Sequence, residues 1–169
     1  MAPLVTPKSI KRILCCNRGE IAIRVFRACK ENGITSVAIF SEQDKMGLHR
    51  QKADEAYKVE APNGSPVGAY LNIDAVINIA RRYRVDAIHP GYGFMSENST
   101  FAKACEDNGI IFIGPRYETI IRMGDKIAAK KVANECKVPV VPGTIDPLED
   151  KEAAYKWCQE NGLPVMMKA

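Results

Sequence analysis

The sequence predicts an α/β fold built on a parallel sheet with helices on both faces. Short apolar runs alternate with amphipathic helical stretches along most of the chain, the order expected of parallel strands joined by crossover helices. Gly33 stands where the first helix needs a C-cap, and Gly114-Pro115 closes the last strand of the alternating series. The 169 residues suit one domain, or one domain with an incomplete second, and 46% hydrophobic with 26% charged residues is ordinary for a globular chain. At this length roughly 70% of the unfolded surface can be buried, so no disulfide staple is required.

The elements follow in order. Ile13 to Cys16 reads as a strand, then a helix runs from about Glu20 to Asn32, and Thr35 to Phe40 is a second strand. On the first helix, Ile21, Ala22, Val25, Ala28 and Cys29 form a core-facing stripe, with Arg24, Arg27 and Glu31 together on another face. Ala56 to Val59 is a short third strand. Asp74 to Arg84 is helical, with Ala75, Val76, Ile79 and Ala80 on one face. The strand Val85 to Ile88, a helix from about Thr100 to Asp107 and a strand at Ile110 to Ile113 complete the first set. The character changes at Gly124, giving an expected domain boundary between residues 123 and 124. Beyond it come a Lys- and Ala-rich helix from Asp125 to Asn134, the β-branched run Val138 to Val141, a loop at Pro147 to Asp150, a helix from Glu152 to Glu160 and a final strand, Pro164 to Lys168.

Composition excludes several functions. The net charge of +4 is scattered among 20 acidic residues, with no basic block interleaved with aromatics, so nucleic acid is not expected as a partner. No run of 18 apolar residues and no signal-peptide core is visible, so a membrane is not expected and a cytoplasmic location is, or a mitochondrial one after loss of a presequence. Cys15 and Cys16 are adjacent in a strand and point to opposite faces, and the other four cysteines form no C-x-x-C pair; buried, reduced thiols are expected. His49 and His89 are the only histidines and cannot supply a metal site or a nucleophilic triad. His89 is expected to be a structural hydrogen-bonding residue. The chain lacks the P-loop motif, and Gly91, Gly93 and Ser96 miss the dinucleotide fingerprint because serine stands at the third glycine.

Three segments remain as candidates. In Val85 to Thr100 the strand must stop at Pro90, and the irregular loop His89-Pro90-Gly91-Tyr92-Gly93 leaves the carboxyl end of a strand, where open α/β sheets bind ligands. Asn17-Arg18-Gly19-Glu20 ends the first strand. It suits an anion at helix N-terminal amides or, equally, a scaffold in which Glu20 favours the macrodipole and pairs with an arginine. Lys126 stands in the first turn of a helix, the wrong end for a cation. It is either a solvated lysine or the neighbour of a polyanion.

These segments also carry a resemblance. HPGYGF-x-SEN at residues 89–98, ILCCNRGEIAIRVFRAC near the start, IFIGPRYETIIRMGDKIAAKK, VPVVPGT and GLPVMMKA resemble, in order, the motifs of the biotin carboxylase family, ATP-dependent enzymes that carboxylate biotin with bicarbonate. The middle segment HRQKADEAYKVE…PVGAYLNID is most similar to the pyruvate carboxylases within that family.

The resemblance implies a Rossmann-like pre-ATP-grasp domain over residues 1–123 and the incomplete start of an ATP-grasp domain over 124–169. It assigns Lys126 and Lys168 to ATP, each as a point charge against phosphate. Tyr92, Gly93 and Glu97 then lie on the loop facing the reaction centre, with Tyr92 and Gly93 at the biotin end. Arg24, Arg27 and Glu31 fall at a homodimer interface. ATP, Mg2+, biotin on a carboxyl carrier domain or protein, and bicarbonate are the implied cofactors and substrate. The glycine-rich lid, the magnesium-binding carboxylates and the groups acting on bicarbonate and biotin have no counterpart, so no catalytic residue and no metal ligand is expected within the chain. The expectation is an opening piece of a longer enzyme or a truncated product, inactive by itself and mainly monomeric. The alternative is a non-catalytic nucleotide-binding or assembly module on the same scaffold.

Overall fold

The computed structural model describes residues 9–61, 63–141, 143–144 and 148–167. The chain forms two compact units, one up to Ile121 and the other from Arg122 onward.

The first unit holds a five-stranded parallel sheet: β1 Arg12–Cys15, β2 Thr35–Phe40, β3 Glu55–Lys58, β4 Ala87–His89 and β5 Ile111–Phe112, in the order β3-β2-β1-β4-β5. The interleaved helices are α1 Gly19–Glu31, α2 Leu48–Lys52, α3 Pro66–Tyr70, α4 Ile73–Arg82 and α5 Ser99–Asp107, and α6 Tyr117–Gly124 follows β5. Residues alternate between the two sheet faces. Cys15 and Ala38 pack with Ala22 and Phe26 of α1 on one face, while Leu14, Cys16, Val37, Ile39 and Ile88 join the larger core with Tyr70, Val76 and Phe101 on the other. Helices therefore cover both faces, as the alternating pattern predicts. The adjacent cysteines indeed separate, one into each core.

Local chemistry explains the helix ends. Asn72 caps α4 by accepting from the Ala75 amide, and Asn98 caps α5 by accepting from Phe101. Gly33, at φ +66°, ends α1, and the Ile34 amide donates back to the Cys29 carbonyl. The sequence missed α2, α3 and α6, two of them single turns of five residues. On α4 the expected Ala75, Val76, Ile79 and Ala80 all join or pack against the core, and Ile77 is buried with them. On α1 the buried set is Ala22, Phe26 and Cys29. Ala28 is exposed and Ile21 only half-buried, which shifts the expected stripe by about one position around the helix.

The second unit holds α7 Lys126–Glu135 and α8 Lys151–Asn161, capped by the carboxylates of Asp125 and Asp150. Neither helix buries a residue. Of the expected strands Val138 to Val141 and Pro164 to Lys168, residues 138–141 and 164–167 have no regular structure, Lys168 lies outside the described residues, and Val141 is 84% exposed. β-Branched sequence favours a strand only where a neighbour supplies the ladder and covers a face, and the described residues offer neither.

Candidate functional site

The strand order reverses between β1 and β4, because the chain leaves β1 toward β2 on one side and returns through β4 and β5 on the other. In such sheets ligands lie beyond the carboxyl ends of the strands at that switch. Two segments meet there, Asn17-Arg18 after β1 and the stretch from His89, the last residue of β4, to Gly93.

Backbone and side chains join them. The Cys16 amide donates to the His89 carbonyl at 2.8 Å, extending the ladder past the strand ends. Asn17 is 1% exposed, and its Nδ2 donates to the carbonyls of Pro90 at 2.9 Å and Tyr92 at 3.0 Å. Gly91 sits over this carboxamide at φ +68°. A Cβ there would come 2.6 Å from Asn17 Nδ2 and 2.7 Å from Ile21 Cγ2, so only glycine fits. His89 Nδ1 accepts from the Gly91 amide at 3.0 Å, which leaves its proton on Nε2. Burial lowers the His89 pKa and keeps the ring neutral, so it acts as the structural residue expected beneath its loop.

Arg18 ties the same turn to the loop after β2 through an ion pair with Asp44 at 2.5 Å. Burial opposes ionisation of Asp44, but the hydrogen bonds from Arg18 and Tyr70 outweigh it and hold its pKa below the ordinary value. The Asn17 to Glu20 turn is thus a scaffold, and Glu20 pairs with Arg24 at 2.9 Å. Asn17 is the clamp of this candidate site that the sequence undervalued. A polar side chain ending a buried apolar strand, opposite a glycine-rich loop, was the available signal.

Above this scaffold Tyr92 is 62% exposed and Gly93 is exposed. Beside them opens a groove of about 480 Å³ lined by Ile21, Arg24, Val25, Ala28, His89 and Tyr92, among others. The structure therefore brings Arg24 and Tyr92 to one groove. Arg27 and Glu31 are exposed on the same helix as Arg24, and Arg24 pairs with Glu20. Glu97 is exposed on the loop before α5.

The thiol that lines the groove, Cys29, is buried, and desolvation raises its pKa above the ordinary value, away from a reactive thiolate; among the described residues no group of three or more His, Cys, Asp or Glu is placed to hold a metal ion. The arrangement is suited to holding a ligand's apolar body against an aromatic ring. In the second unit Lys126 is exposed at the first position of α7, directly after the capping Asp125. Lys168 lies outside the described residues. No helix of the described residues is long and apolar enough to cross a membrane.

Comparisons agree with this architecture. Pyruvate carboxylase of Bacillus subtilis (strain 168) is 50% identical over 165 residues, covering 98% of this chain and 14% of the relative. Mitochondrial pyruvate carboxylase of Homo sapiens is 52% identical over 162 residues, covering 96% and 14%. The biotin carboxylase domain dimer of Hydrogenobacter thermophilus 2-oxoglutarate carboxylase, solved with MgADP, ADP and bicarbonate, superposes with a TM-score of 0.84 at 45% identity, covering 94% of this chain and 34% of that one. The chain thus spans about one seventh of the length of the curated relatives it matches. Residues 125–169 match the family model of the carbamoyl-phosphate synthase L chain ATP binding domain. Residues 9–120, the whole of the parallel sheet with its helices, match the model for the biotin carboxylase N-terminal domain, and the chain belongs to that family.

Proposed function

We propose that the chain is the opening part of an ATP-dependent biotin carboxylase of the pyruvate carboxylase type. The observation that carries this is the tandem order of the two matches, a biotin carboxylase N-terminal domain followed five residues later by an ATP-binding domain. In this reading ATP activates bicarbonate, and the carboxyl group passes to the ureido nitrogen of a biotin borne on a carrier domain or protein and then to pyruvate.

The residues present fit two of the implied groups. Lys126, exposed at the start of α7, offers an ammonium donor suited to an ATP phosphate. Lys168 is proposed for the same phosphates by resemblance alone. The exposed Tyr92 ring and the bare backbone of Gly93 suit the apolar body and polar ring of biotin. No described residues are assigned to magnesium or bicarbonate. When bound, ATP and its metal supply phosphoryl activation; the residues of this chain bind and orient.

Arg24, Arg27 and Glu31 are proposed as part of a homodimer face, supported by the apolar groove beside Arg24 and by the dimeric structural relative. The 169-residue polypeptide alone is proposed to be monomeric and inactive. A cytoplasmic location is proposed, or a mitochondrial one like that in the name of the human relative.

The test uses a full-length carboxylase that contains this sequence. Lys126→Gln removes a charged phosphate contact worth about 1.5–3 kcal/mol, so KM for ATP should rise at least roughly tenfold. An unchanged KM removes Lys126 from the site.

A further inference from the structure

We infer that Asn17 is a positioning residue for the acceptor: it sets the height and orientation of Tyr92 at the mouth of the groove without touching the ligand itself. The inference rests on the proposed biotin-end role of Tyr92.

Four observations carry it. First, the Asn17 carboxamide is fully committed. Both Nδ2 hydrogens go to alternate carbonyls of the loop, Pro90 and Tyr92, and Oδ1 accepts from the Arg18 amide at 2.9 Å. Only this orientation of the amide satisfies all three partners, since a flipped group would set oxygen against two carbonyls. Second, the residue is 1% exposed, so water cannot replace a lost donor without opening the site. Third, the bond to Tyr92 is made to the backbone of a residue whose side chain is 62% exposed, so the clamp fixes the base of a ring that has little packing of its own. Fourth, the loop is seated on this carboxamide so closely that Gly91 has no room for a Cβ.

The scaffold around Asn17 is independently anchored. The Cys16 amide continues the β1–β4 ladder to the His89 carbonyl, and Arg18 is held by Asp44 on the opposite flank. Replacing the carboxamide therefore releases the loop from residue 90 to 93 while the strands beneath it stay paired. Asn17→Asp is the sharpest replacement. It keeps the shape but turns the two donors into an oxygen facing two carbonyl oxygens.

The experiment compares Asn17→Asp with Tyr92→Ala in the full-length carboxylase, measuring KM for free biotin, KM for ATP and kcat. Asn17→Asp should raise KM for biotin roughly tenfold while KM for ATP stays within about twofold, and Tyr92→Ala should show the same split. A merely structural role would lower activity with no such split, and equal changes in both constants overturn the inference. If Tyr92→Ala raises KM for biotin and Asn17→Asp does not, the positioning role fails while the biotin-end reading survives. If Tyr92→Ala leaves KM for biotin unchanged, the reading of the site fails and the inference with it. Should Asn17→Asp not fold, Asn17→Ser, which retains one short donor and cannot reach both carbonyls, is read by the same criteria.

Discussion

The Tyr70 hydroxyl donates to the Asp44 carboxylate at 2.7 Å and accepts from the Ser41 amide at 3.3 Å. This one oxygen links α3 to the loop after β2, and Asp44 passes the link on to Arg18 after β1. Tyr70 is among the largest fully buried side chains, so the link lies within the main core.

Tyr70→Phe should therefore cost more than its small change in volume. It removes a hydrogen bond to a charged group and leaves the Ser41 amide without its partner, an expected loss of about 1.5–3 kcal/mol. Urea unfolding of the two proteins measures it. A midpoint unchanged from the parent would show that the link contributes nothing to stability.

Acid should destabilise the fold in two stages. Burial lowers the pKa of His49 and of His89 below the ordinary 6.5, so the unfolded chain takes up protons that the folded chain refuses. Stability is full above 6.5 and falls as the pH drops through the two depressed values. Hydrogen bonds from the Ser36 hydroxyl and amide lower Asp54, and Arg18 and Tyr70 overcome burial to lower Asp44, so a second loss begins below 3.8. Urea midpoints at about pH 8 and about pH 5.5 test the first stage; a midpoint equal or higher at the lower pH contradicts it.

The first unit's fold was legible because its signals are local and mutually consistent. Apolar runs from Ile13 to Ile113 alternate with helical spacing, and Gly33, Asn72 and Asn98 mark helix ends through their own backbone chemistry. The pattern failed where it depended on partners. Val138 to Val141 has strand composition, but composition does not provide a neighbouring strand. At the site, His89 and Gly91 were readable from spacing. The Asn17 clamp was not, since it joins residues 73 and 75 apart and depends on β1 lying beside β4.

Amide hydrogen exchange should divide the chain accordingly. The strands of the first unit with α1, α4 and α5 lie in or over a packed core, whereas α7 and α8 bury no residue. Strong protection is expected up to about residue 123 and weak protection beyond it. Uniform protection would contradict the proposed boundary.

Charge reversal at Arg27 tests the dimer face. In the full-length protein Arg27→Glu should raise the dimer dissociation constant by roughly tenfold or more, by setting like charges against each other across a two-fold interface. Sedimentation equilibrium gives the constant, and undiminished affinity would show that Arg24, Arg27 and Glu31 form only a solvated face.

The most direct measurement is the transfer of label from radioactive bicarbonate to biotin by a full-length carboxylase that contains this sequence. The label should appear on biotin only when ATP is present, and the 169-residue polypeptide alone should transfer none. A folded full-length protein that binds ATP and fixes no label on biotin would contradict the assignment.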